Sequence, residues 1–86
     1  DDQNIVADLA AQDILNLLDQ LPNGYRTVFN LYVIEGYKHR EIADLLGISI
    51  NTSKSQLILA KKRLQQLLLD NNYPGVAARL GKVANS

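Results

Sequence analysis

Cationic and short polar side chains gather in two places in this chain. Lys38, His39 and Arg40 form one group; Asn51, Thr52, Ser53, Lys54 and Ser55 form the other, followed by Lys61, Lys62 and Arg63. No base, nucleophile and carboxylate are spaced for catalysis. His39 is the only histidine and there is no cysteine, so neither a metal site nor a catalytic dyad has enough members. No glycine-rich phosphate loop is present, and no cofactor is implied. Lysine and arginine beside Asn, Thr and Ser suit a different chemistry. They can neutralise phosphates and hydrogen-bond base edges, and the positive end of a helix dipole adds to the attraction.

Two elements must position these residues, and both are legible between Glu41 and Leu68. Ile42, Leu45 and Leu46 stand at i, i+3 and i+4 of a short helix. Gly47 follows where a left-handed C-cap belongs, and Ser49 can cap the next helix by accepting from the backbone of Asn51 or Thr52. On that second helix Leu57, Ala60, Leu64, Leu67 and Leu68 recur at helical spacing, with the cations placed elsewhere. Two helices joined this tightly, the second basic on its outer side, describe a DNA-binding helix-turn-helix. An ordinary αα-hairpin would show the same small residues, Ala43 and Gly47, as a close helix crossing plugged by Ile48. The short turn and the basic helix behind it favour the DNA reading.

Since Leu57, Leu64 and Leu68 fill the inward stripe, at least one of Ile58 and Leu59 should face out. There it would meet a thymine methyl or a protein surface. Lys38, His39 and Arg40, at the start of the first helix of the pair, are candidate phosphate contacts, with His39 expected to be exposed. An ion pair between Arg26 and Glu41 is expected to fix the crossing of the second and third helices.

The remaining chain frames this unit. Residues 5–21 suit an amphipathic helix with Ala11, Ile14, Leu15, Leu18 and Leu21 as its stripe, capped at Asn4 or Asp8 and stopped by Pro22. Asn23-Gly24 reads as a turn. Tyr25, Val28, Phe29 and Tyr32 then mark a second helix that ends at Gly36 despite the β-branched Val33 and Ile34. Helices from Lys38 to Leu46 and from Ile50 to Leu69 follow. The expectation is an all-α, four-helix domain over residues 1–70, ending in a helix-turn-helix without a wing. Residues 71–86 form a tail that either holds a short helix or stays mobile.

Composition narrows the function further. Eighty-six residues make one domain, and no apolar run approaches the roughly 18 residues of a membrane span. The lack of cysteine fits a reducing cytoplasm. Net charge is zero but unevenly spread. Residues 1–20 carry five aspartates and no Lys or Arg, whereas 45–69 carry Lys54, Lys61, Lys62 and Arg63 and no acid. Positive potential is therefore local, and DNA affinity should be weak and salt-sensitive. A module of that kind usually works tethered, and the chain opens on Asp1 rather than Met, as a domain of a longer protein would.

The ordered set Leu21-Pro22, Tyr25-Arg26, Val28-Phe29, Glu35-Gly36, Glu41-Ile42-Ala43, Leu46-Gly47-Ile48-Ser49 and Thr52-Ser53-Lys54-Ser55 resembles region 4 of bacterial sigma factors, most closely the extracytoplasmic-function group. The likeness covers about residues 9–69. It implies recognition of the promoter minus-35 element, docking on the flap of core RNA polymerase and control by an anti-sigma factor. By position, Lys54, Ser55, Ile58 and Leu59 correspond to the family's reading surface, and Thr52 to its N-terminal turn. Lys61 and Lys62 correspond to flanking basic positions, and Lys38, His39 and Arg40 to the phosphate side. Leu59 and Gln56 stand where Arg is common, Ser53 where Val is common, Asn51 where Gly is common, and Lys38 where a capping Ser is usual. The domain that reads the minus-10 element is expected upstream in the parent protein. A response-regulator output domain has a similar helix-turn-helix, but usually lacks the stretch from Leu21 to Arg26. A protein-interaction module with little DNA affinity of its own is the reading from another class.

Overall fold

A computed structural model describes residues 11–84. Five α-helices appear among them: α1 (Ala11–Leu18), α2 (Asn23–Phe29), α3 (His39–Leu46), α4 (Ile50–Asp70) and α5 (Pro74–Ala84). The described residues include no strand. The all-α expectation therefore holds, with a helix in the tail beyond the four that were expected. Residues 5–10 of the first predicted helix, and its caps Asn4 and Asp8, lie outside the described residues.

The chain is organised around α4, which packs against α1, α2, α3 and α5. One core runs along it: Leu17, Leu18 and Leu21; Val28, Phe29 and Val33; Ile42; Leu57, Ala60, Leu64, Leu67 and Leu68; and Ala77 with Leu80 from α5. Each fully buried aliphatic or aromatic side chain contributes roughly 1.5–3 kcal/mol on leaving water. Leu15 departs from the predicted stripe. It is 55% exposed, and Leu17 takes an inward place beside Leu18 and Leu21; the side chains of Ala11 and Ile14 lie outside the described ones.

Three local readings are corrected. Asn23-Gly24 is not a turn but the first turn of α2. Pro22, at φ −54°, stands at the N-cap, and its carbonyl accepts from Arg26 N–H at 2.9 Å. Gly47 is not a close crossing point. A Cβ there would meet nothing within 4 Å, so its role is conformational, at φ +66°. Gly47 N–H and Ile48 N–H both donate to the Ala43 carbonyl, closing α3. Arg26 does not reach Glu41. Its guanidinium donates to the Asp19 carbonyl and to Asn23 Oδ1, and lies 3.9 Å from the Asp19 carboxylate. Glu41 is engaged locally, accepting from Lys38 N–H at 2.9 Å.

Val33 and Ile34 are helical, as expected, but in a π-helical stretch, Asn30–Ile34, that continues α2. Glu35 N–H donates to the Asn30 carbonyl at 2.9 Å. This widened turn keeps Val33 in the core, and Gly36, at φ +78°, then reverses the chain toward α3. At the other end, Asn72 takes φ +69° after α4, a conformation asparagine tolerates better than most residues. The tail then returns as α5. Ala77 and Leu80 are buried, Gln65 Nε2 donates to the Ala77 carbonyl at 3.0 Å, and the Tyr73 hydroxyl donates to Asp13 Oδ2 at 2.9 Å.

Candidate nucleic-acid interface

The interface starts at the turn between α3 and α4. Ser49 sits at the N-cap with its Oγ accepting from Thr52 N–H at 2.9 Å, as its position predicts. Its hydroxyl also lies 2.8 Å from Thr52 Oγ1. The N-cap side chains of α2 and α3 make no such bond, although Glu41 accepts from Lys38 N–H at the start of α3. With its cap, α4 has its first turns fixed in place.

From that start one face of α4 looks outward. Asn51, Lys54, Ser55, Ile58, Leu59, Lys62 and Arg63 are all exposed, as is Thr52 beside them. Ile58 and Leu59 are 43% and 42% exposed, so both face out rather than one of them. Lys38 and Arg40, at the start of α3, are exposed as well. Of the eleven residues expected to contact DNA, nine are therefore exposed.

The other two are not. Lys61 is only 7% exposed. Its place in the helix repeat, four residues after Leu57 and three before Leu64, turns it inward, and it is not a flanking position beside Lys62. His39 is half-buried, not exposed, and its Nδ1 lies 2.8 Å from Ser53 Oγ. The imidazole stacks on Tyr32 with centroids 4.4 Å apart and planes 20° from parallel. Its pKa is held below the ordinary 6.5, first by burial and then by the positive charges of Lys54 and Lys61. His39 thus stays mostly neutral near pH 7 and joins α3, the π-helical stretch and α4.

Ser53 completes that junction. It is fully buried, so it faces His39 and not a base edge, unlike its neighbours in the first turns of α4. A hydroxyl at a core position needs a partner, and His39 supplies one. Helical spacing already contained this signal: Ser53 stands four residues before Leu57, on the inward stripe. Tyr32 and Ser53 were both missed as positioning residues.

A second contact also escaped the sequence. Gln56 reaches from α4 to the start of α2, where a Cβ on Gly24 would lie 3.2 Å from Gln56 Oε1. That oxygen is buried without a hydrogen-bond partner among the described residues. It borders a mainly apolar hollow of about 290 Å³ lined by Asn23, Thr27, Val28, Leu46, Ile48 and Thr52. Ile48 therefore lines a hollow bounded by α2, the end of α3 and the first turns of α4.

Among the described residues no cluster of His, Asp or Glu is arranged to hold a metal ion, and no helix is long and apolar enough to cross a membrane. An outward helix face bearing lysine and short polar groups, held by a capped turn and flanked by cations on the preceding helix, is suited to a nucleic-acid groove.

Comparison with known proteins agrees with that geometry. Residues 11–64 match the family model described as sigma-70, region 4, from the first described residue to the inward Leu64 of α4. No curated protein and no solved structure gives a significant match. The matched span is well over half the chain and contains the whole helix-turn-helix, so this chain belongs to the sigma-70 region 4 family, whose domains bind the promoter minus-35 element and core RNA polymerase and are not enzymes.

Proposed function

We propose that this chain is the minus-35-reading domain of an alternative sigma factor of the extracytoplasmic-function group. In this reading α4 enters the major groove. Asn51, Thr52, Lys54, Ser55, Ile58 and Leu59 face the base edges and adjoining backbone, and Lys62 flanks them. Lys38 and Arg40 meet phosphates from the start of α3. His39 and Lys61 stand behind this surface: His39 holds α3 to α4 through Ser53, and Lys61 adds positive potential from within. The observation that carries the reading is the exposed, acid-free stripe from Asn51 to Lys62 on a helix whose first turn is capped by Ser49.

The extracytoplasmic-function assignment is supported by the ordered motifs from Leu21-Pro22 to Lys54-Ser55. A domain of this group acts in the cytoplasm on core polymerase, docking on its flap, and is held inactive by an anti-sigma factor that covers part of the same surface.

Transcription tests this directly. Core polymerase carrying the full-length parent of this chain should initiate from a promoter with its minus-35 element, and Lys54→Ala with Lys62→Ala should lower initiation. The logarithm of the binding constant should fall against the logarithm of salt with a slope of about −0.9 per phosphate contact. Intact initiation in the double variant would remove α4 from the interface. Initiation that ignores the minus-35 sequence would remove the reading itself.

A further inference from the structure

Ile58 and Leu59 are neighbours in sequence and both open to solvent on the outward face of α4. Lys54 lies one turn before Ile58 and Lys62 one turn after it, and Ser55 and Arg63 bracket Leu59 in the same way. An aliphatic band thus crosses a stripe that is otherwise cationic or hydrogen-bonding. From Ile50 to Leu69 the helix contains no acidic residue, so the band's surroundings complement a polyanion and oppose a basic protein partner.

A side chain with neither donor nor acceptor cannot hydrogen-bond a base edge. In the major groove it can discriminate only through the one apolar group displayed there, the C5 methyl of thymine. A guanidinium in this place would read guanine instead. From the exposure of Ile58 and Leu59 and the lysines one turn to either side of Ile58, we infer that this chain reads at least one thymine methyl in its minus-35 element, with Ile58 and Leu59 as the residues that determine that specificity. The inference rests on the proposed reading that α4 lies in the major groove.

Both aliphatic side chains would leave water against the same narrow strip of bases. They favour a site in which thymines stand at the step between the bases met by Ser55 and the phosphates met by Lys62. Cytosine methylated at C5 presents the same methyl group, and should substitute for thymine in this contact.

The first arm of the test alters only the DNA. Duplexes bound by the full chain are selected from a random pool. Each thymine of the selected site is then replaced singly by uracil, which removes the methyl and keeps the pairing. Affinities are measured by fluorescence anisotropy at fixed salt, for the chain and for the polymerase holoenzyme. At one or two positions uracil should weaken binding about four-fold, the value of burying one methyl group. In Ile58→Ala and Leu59→Ala chains the thymine and uracil duplexes should bind alike, whereas Lys54→Ala should weaken both while keeping their difference. Selected duplexes that bind tightly but ignore uracil everywhere would overturn methyl reading and leave α4 as a DNA reader by other contacts. They would make the aliphatic band a protein contact. Failure to enrich any duplex, in chain and holoenzyme alike, would overturn the DNA reading and this inference together.

Discussion

The two faces of α4 break the same rule in opposite directions. Its inward face carries Leu57, Ala60, Leu64, Leu67 and Leu68, as a core helix should, but also Ser53 and Lys61. Its outward face carries Asn51, Lys54, Ser55, Lys62 and Arg63, as a surface should, but also Ile58 and Leu59. Of the inward exceptions, Ser53 is satisfied by its bond to His39 at 2.8 Å, and the positive charge of Lys61 helps to keep the same imidazole neutral. The outward exceptions have no such partner among the described residues, and about two-fifths of each stays open to water. A polar residue satisfied inside marks how the domain is held; an apolar residue exposed beside lysines marks what the domain is prepared to meet.

The contrast can be broken most forcefully by truncating one residue on each face. Leu68 is fully buried, so Leu68→Ala removes methyl groups from the core and should cost about 2–5 kcal/mol of folding free energy. Leu59→Ala should change stability by no more than about 0.5 kcal/mol, as surface substitutions generally do. Urea denaturation followed by circular dichroism measures both. A loss at Leu59 comparable to that at Leu68 would mean that the outward face is packed against the domain after all.

A smaller effect separates conformation from packing at the turn that aims these faces. Gly47 has φ +66° and open space where a Cβ would go. Gly47→Ala should therefore cost about 1–2 kcal/mol through the left-handed backbone alone, and Gly47→Asn less, since asparagine tolerates that region. Equal destabilisation by Ala and Asn would point to side-chain contact in place of backbone preference.

Much of this arrangement was legible from residue types at fixed spacing. Gly47 and Ser49 bounded α3 and α4 because a left-handed C-cap and a hydroxyl N-cap are local chemistry, decided within four residues. The inward leucines placed at least one of Ile58 and Leu59 outward, and the fold exposes both. The same spacing turns Ser53 and Lys61 inward, against the preference of a hydroxyl and an ammonium for the surface. Other features depend on contacts between distant segments. The Gln56 carbonyl against Gly24, the Tyr73 hydroxyl on Asp13 and the docking of α5 through Ala77 and Leu80 have no local pattern. Opposite charge and the packing of the second helix near the third suggest an Arg26–Glu41 pair. In the fold each found a nearer partner, Arg26 in Asn23 and the Asp19 carbonyl, Glu41 in the Lys38 N–H.

The smallest expected effect concerns the inward exception and acid. Burial, then Lys54 and Lys61, hold the His39 pKa below its ordinary 6.5, so the unfolded chain takes up the proton at a higher pH than the folded one. Stability rises with pH wherever the unfolded state binds more protons. The His39 contribution is therefore complete above about pH 6.5, the ordinary histidine value, and is lost as pH falls from there through the lowered folded value. Protonation also places a third positive charge beside Lys54 and Lys61 and leaves the imidazolium only donors to offer Ser53, whose hydroxyl must then accept. Comparing denaturation midpoints of the parent chain and His39→Gln between pH 7.5 and 5 isolates this group, because the carboxylates respond alike in both. The parent should lose more stability on acidification than the variant. Parallel curves would show that the His39–Ser53 contact holds α3 to α4 equally well in either protonation state.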